Sequence, residues 1–241
     1  MNLGQRLYQF TFPPSFELMP KDCRLLEQMY PKVDWSLVDC YSQMPWFMRY
    51  TFAIGTALPS TYCHKKVHIY IRDIESMSAN QRLTILVHEA YHVQQYYELN
   101  SMGKKNNRLS WGYNRRFMRY YIGWYLEGLY QAFFKDKKKW SDATNVAYRQ
   151  HPMEIPAYQQ EHIFRQCINL YRGHSVPLFF KQAPRMVCLQ TPLPKAPAPF
   201  FHVVGTLFTL LITIAKPIIE LVNWPIAFLL GGRSEKKKKK I

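Results

Sequence analysis

Residues 88–92 read His-Glu-Ala-Tyr-His, and no other stretch constrains this chain as strongly. Two histidines four residues apart lie one turn apart on the same face of a helix. From there both imidazoles can reach one Zn²⁺. Glu89 lies between them and points into the same sector, where it can take a proton from a metal-bound water without binding the metal itself. With 8 His and 10 Glu in 241 residues, chance alone gives about 0.01 occurrences of this pattern. The motif therefore predicts a helix and a metal site together.

The flanking sequence agrees. Ser78-Ala79-Asn80-Gln81 is a capping box, so a helix should start here and run toward Asn100, with Gly103 just beyond it. Leu83, Leu86, Val87 and Ala90 form its apolar stripe. Upstream, Val67 to Ile71 reads as a strand. Phe52 to Leu58 reads as its hairpin partner, ended by Pro59, with a loop at 60–64. A second helix is expected over Asn114–Phe134. A third should start near His151-Pro152 and pass through Gln160 to about Tyr171. The expected class is α+β: a small sheet, the motif helix beneath it, and a helical remainder.

A catalytic zinc site needs three protein ligands and an open position. Gln95 and Glu98 stand where a metzincin would carry Gly and His, so the third ligand lies elsewhere. Glu98, Glu127, Glu154, Glu161, His151 and His162 are the candidates. Glu98 is too close to His92 to reach back. Glu127 sits in an aromatic helix and could instead accept a hydrogen bond from a ligand histidine. Glu154, in the first turn of a new helix, is the better ligand. Glu127, His151 and Glu161 stay open beside it.

The run LVHEAYHVQQ, followed by His151-Pro152-Met153-Glu154-Ile155-Pro156-Ala157-Tyr158, resembles the gluzincin group of zincin metallopeptidases. It looks most like poorly characterised bacterial zincin-like domains, which pair an HExxHxxQ helix with a downstream Pro-x-Glu-x-x-Ala helix. The likeness covers about residues 50–165. It departs from the pattern at His151, where Asn is more usual, and at Pro156 inside the Glu helix. The resemblance implies a zincin-like domain that binds zinc through His88, His92 and Glu154 and uses Glu89 as general base. It implies peptide or protein substrates. Tyr158 and His151 are candidate oxyanion donors.

Charge and composition point to a second property. Lys plus Arg total 32 against 16 acids, a net of +16. That excess suits an anionic surface, either lipid head groups or nucleic acid. Between Met102 and Trp140, ten Lys or Arg face two acids and are interleaved with Tyr113, Phe117, Tyr120, Tyr121, Trp124 and Tyr125. Core packing, a membrane surface and a nucleic-acid groove all fit that pattern, though no RNP, KH or zinc-knuckle motif supports the last. Five cysteines without a CxxC pair read as reduced thiols.

Six prolines over 177–199 suggest a linker. Ala196–Ala215 is 20 residues without a charged side chain, and a five-lysine tail closes the sequence. About 20 apolar residues suffice to cross a bilayer. A hairpin broken at Lys216-Pro217, or an interfacial pair of helices, is preferred to a single span. The N-terminal 14 residues carry no unbroken apolar run after Arg6, which reads against a secretory signal.

The expected organisation is a zincin-like metallopeptidase domain over 1–172, a linker over 173–199, a hydrophobic membrane-associated segment over 200–232 and a polybasic tail over 233–241. The expected protein is a membrane-associated zinc peptidase with its catalytic domain in the cytoplasm. The competing readings are a DNA-associated protease and an inactive zincin scaffold.

Overall fold

The computed structural model describes residues 11–49, 51, 53–60, 66–101, 113–172, 176–187, 192–229 and 239–240. Expectations resting on residues 1–10, Phe52, the loop at 61–64, Gly103, Lys104, Lys105, Arg108, Cys188 and most of the lysine tail lie outside those residues.

The protein is mixed α+β. Among the described residues, four longer strands build the sheet, β1 (Ser15–Glu17), β2 (Val38–Tyr41), β3 (Gly55–Pro59) and β4 (Val67–Ile71), in the order β3-β4-β2-β1. The expected hairpin is present, with β3 antiparallel to β4 from Gly55 opposite Ile71 to Pro59 opposite Val67. β2 runs parallel to β4 and antiparallel to β1. Lys239 and Lys240 form a two-residue β5 beside β1.

Among the described residues, seven α-helices complete the fold: α1 (Pro20–Met29), α2 (Ala79–Ser101), α3 (Tyr113–Tyr130), α4 (Trp140–Arg149), α5 (Glu154–Cys167), α6 (Val176–Val187) and α7 (Pro199–Leu229). α2 is the motif helix. Its capping box forms as expected, with Ser78 N–H donating to Gln81 Oε1 at 2.9 Å and Gln81 N–H to Ser78 Oγ at 3.3 Å. Its predicted stripe is buried against Val67, Ile69 and Ile71 of β4 in one continuous core. At the end of α1, the Tyr30 hydroxyl donates to the Val87 carbonyl and ties that helix to α2.

Two expectations need correction. The segment over 173–199 is not simply a linker: Val176–Val187 is α6. Phe179, Ala183 and Val187, spaced every four residues, are fully buried, and Phe179 packs edge-on against Phe164 of α5. Apolar burial outweighs the single donor that Pro184 removes. Among the described residues of that segment, 192–198 lack regular structure. The second correction concerns Lys216-Pro217, where no hairpin break occurs. α7 continues through Pro217 and Pro225 as one 31-residue helix.

α7 also lies against the rest of the protein. Gly205 of α7 meets Gly123 of α3 so closely that a Cβ on Gly205 would stand 2.9 Å from the Gly123 nitrogen. Trp124 Nε1 donates to the Lys195 carbonyl at 2.9 Å, and Tyr120 rests edge-on against His202. Of the cysteines, Cys23, Cys40 and Cys167 are free thiols.

Candidate metal centre

α2 places His88 and His92 on one face, one turn apart. α5 packs against α2, and its first residue is Glu154. The three side chains converge: His88 Nε2 is 3.2 Å from Glu154 Oε2, and His92 Nε2 is 3.3 Å from Glu154 Oε1. All three residues are buried, and one donor atom from each lies within 4.8 Å of the other two. Two imidazoles and a carboxylate suit a divalent transition metal, Zn²⁺ among them.

The surrounding hydrogen bonds aim those atoms. His88 Nδ1 is 3.0 Å from Glu161 Oε2, and His92 Nδ1 is 2.8 Å from Gln95 Oε1. Both oxygens can only accept, so each Nδ1 carries a hydrogen and each Nε2 turns to the centre. Gln95 is fixed in turn by donating Nε2–H to the Met153 carbonyl at 3.0 Å. Glu161 is held by Arg165 at 2.6 Å. The Tyr121 hydroxyl donates to Glu154 Oε1. His92 Nε2 is buried without hydrogen-bond geometry to any partner, as expected for an atom directed at a metal.

The electrostatics favour positive charge at this point. Burial alone would push the His88 pKa down, but hydrogen bonds to Glu154 and Glu161 outweigh it and lift it to about 10. Burial opposes ionisation of Glu154, yet His92 and His88 hold its carboxyl well below the usual range. A cation among these groups replaces protons they would otherwise keep.

Glu89 occupies a different environment. Burial pushes its pKa up to about 7 against the opposing pull of His88 and His92, and its Oε2 is buried without a partner. Beside it Gly55 begins edge strand β3, and a Cβ there would stand 2.5 Å from Glu89 Oε1. His88 and Glu89 open onto a cleft of about 670 Å³, whose walls include Ile54, Gly55, Thr84, Tyr148 and Tyr158. That volume suits a small molecule or a short peptide segment. The Tyr158 ring lies edge-on to His88 at 4.8 Å.

The other candidates are engaged elsewhere. Glu98 pairs with Lys32 and accepts from Gln94. Glu127 accepts the Ala198 N–H at 3.0 Å and so holds the start of α7. His162 is exposed beside Gln166. His151 uses both ring nitrogens: Nδ1 accepts the Met153 N–H at 3.1 Å, and Nε2 donates to the Tyr121 carbonyl at 2.8 Å. It is neither a ligand nor an oxyanion donor in this arrangement. Glu161 serves His88 rather than the centre directly.

Sequence reasoning missed the roles of Gln95, Tyr121 and Gly55. Gln95 was findable, because it follows His92 by three residues on the same helix face. Tyr121 and Gly55 had no local signal. Comparison with protein-family models, with curated proteins and with solved structures finds no match.

Proposed function

We propose that this chain is a zinc-dependent peptidase that works at a membrane. The observation that carries the reading is the convergence of buried His88, His92 and Glu154 beside Glu89, whose Oε2 is buried without a partner, at the wall of an open cleft. Bound by those three residues, Zn²⁺ would polarise a scissile carbonyl and lower the pKa of a water. Glu89, with its pKa lifted to about 7, takes up a proton near neutral pH and passes it to the leaving amine. Tyr158, whose ring lies edge-on to His88 at the cleft wall, is the oxyanion donor in this reading.

The membrane part of the reading rests on α7. Pro199–Asn223 is one helix long and apolar enough to cross a bilayer. The net charge of +16 suits an anionic leaflet.

Elemental analysis tests the centre. One zinc per chain is expected in the wild type, and none in His88→Ala or His92→Ala. Glu89→Gln should keep zinc and lose cleavage of a peptide library. A wild-type chain without zinc, or a Glu89→Gln chain that still cleaves, rejects the proposal.

A further inference from the structure

Among the described residues, the large apolar side chains exposed on α7 lie on one side. Phe200, Val203, Leu207, Phe208, Leu211, Ile214, Ile218, Leu221, Val222, Ile226 and Leu229 are all exposed. At 3.6 residues per turn they fall within an arc of about 140°. The opposite face carries Gly205 against Gly123, the buried Thr209 and the buried Glu220, which pairs with Lys216 at 2.8 Å.

The helix is tied down along its length. Glu127 holds its start, and Asn223 donates to the Thr11 hydroxyl at 3.2 Å near its other end. A helix fastened to the folded body at both ends cannot cross a bilayer while that body stays in water. The outward stripe can enter lipid only edgewise.

A second exposed surface joins that stripe at its N-terminal end. The turn between α3 and α4 exposes Phe134 at 65% and Trp140 at 61%, together with Tyr130 and Phe133. Tyr130 touches Phe201 of α7, with ring centroids 5.6 Å apart. Lys135, Lys137, Lys138 and Lys139 are exposed in the same turn, with Asp136 the one acid among them. Aromatic side chains beside lysines fit the boundary between acyl chains and anionic head groups.

We propose that α7 lies in the plane of one leaflet as a monotopic anchor, with the 130–140 turn selecting anionic lipid. This rests on the membrane reading above and is independent of the zinc chemistry. Full-length protein is added to preformed vesicles of phosphatidylcholine, with or without phosphatidylserine. Zinc content and thermal melting are followed in parallel, so a misfolded variant or a failed metal site is recognised separately.

Binding should be much tighter with phosphatidylserine. Each lysine near the surface contributes about fivefold. Replacing Lys137, Lys138 and Lys139 by Gln should therefore weaken binding on the order of a hundredfold on the mixed vesicles and little on phosphatidylcholine. Leu207→Glu with Leu211→Glu should abolish binding to both. Cysteines introduced at Phe200, Leu211 and Leu229, all on the stripe, should react with an impermeant maleimide in the absence of vesicles and be protected alike once vesicles are bound. Equal binding to both vesicle types overturns the role of the turn. Protection of only one helix end overturns the in-plane geometry in favour of a span. Lysine-dependent binding to DNA or RNA without vesicle binding overturns the lipid partner.

Discussion

Gly55 and Glu89 show how one missing side chain makes room for a buried carboxylate. The Glu89 carboxylate fills space that any other residue at 55 would claim. Gly55→Ala should leave zinc content intact and lower kcat by about ten- to a hundredfold, since small displacements of a reacting group are that costly. Steady-state kinetics beside metal analysis checks this, and an unchanged kcat argues against a catalytic placement of Glu89. Glu161 acts through His88, whose Nδ1 it accepts from. Glu161→Ala should weaken zinc binding about 10- to 100-fold, with partial recovery in Glu161→Gln, whose amide oxygen still accepts. Competition against a chelating fluorophore measures it, and equal affinities for all three forms would remove Glu161 from the site.

α3 links two parts of the molecule that the sequence keeps far apart. One side carries Tyr121, which donates to the metal-site carboxylate of Glu154. The other carries Gly123 and Glu127, which receive α7. The close crossing depends on having no side chain at 123 or 205, as in tightly packed helix pairs. Gly205→Leu should drive the helices apart and destabilise the fold by about 1–3 kcal/mol. Leu211→Ala, on the exposed stripe, should change stability by less than about 0.5 kcal/mol. Chemical denaturation in detergent compares the two, and equal effects would mean that α7 does not pack on α3.

Across the whole molecule, the sheet face turned away from α2 holds a polar cluster. His68 lies 3.7 Å from Asp39, which also pairs with Lys66 at 3.0 Å. Tyr41 stacks on Tyr70, and Lys216 and Glu220 of α7 act on His68 electrostatically. Burial is the main cause that lowers the His68 pKa to about 4, from 6.5. The folded state therefore holds His68 neutral where the unfolded chain binds a proton. Its stability is intact above about pH 6.5 and is lost as pH falls toward 4. The loss is on the order of 2–3 kcal/mol. Urea unfolding against pH, with a chelator present throughout, should show a shallower acid decline in His68→Gln. Parallel profiles would exclude His68 as the cause.

Local features were legible in the sequence. The capping box set the start of α2, the i, i+4 spacing set its two histidines, and alternation set the β3–β4 hairpin. These depend on neighbours within one or two turns, so periodicity exposes them. Short β1 and β2, with α1 and α4, passed unread because few residues carry their patterns. α6 was masked by its prolines, whose local penalty is smaller than the gain from burying Phe179 and Val187. Among Glu127, Glu154, Glu161 and His151, spacing favoured Glu154 but left the others open. Only the packing of α5 on α2 distinguishes a carboxylate at the centre from one that orients His88, because that difference is a matter of distance across 66 and 73 residues. The fate of the apolar segment was likewise tertiary. Its composition fits a span, a hairpin or an interfacial helix, and only the charge pattern favoured the last two. The contact between Gly205 and Gly123 joins surfaces that no local pattern could have matched.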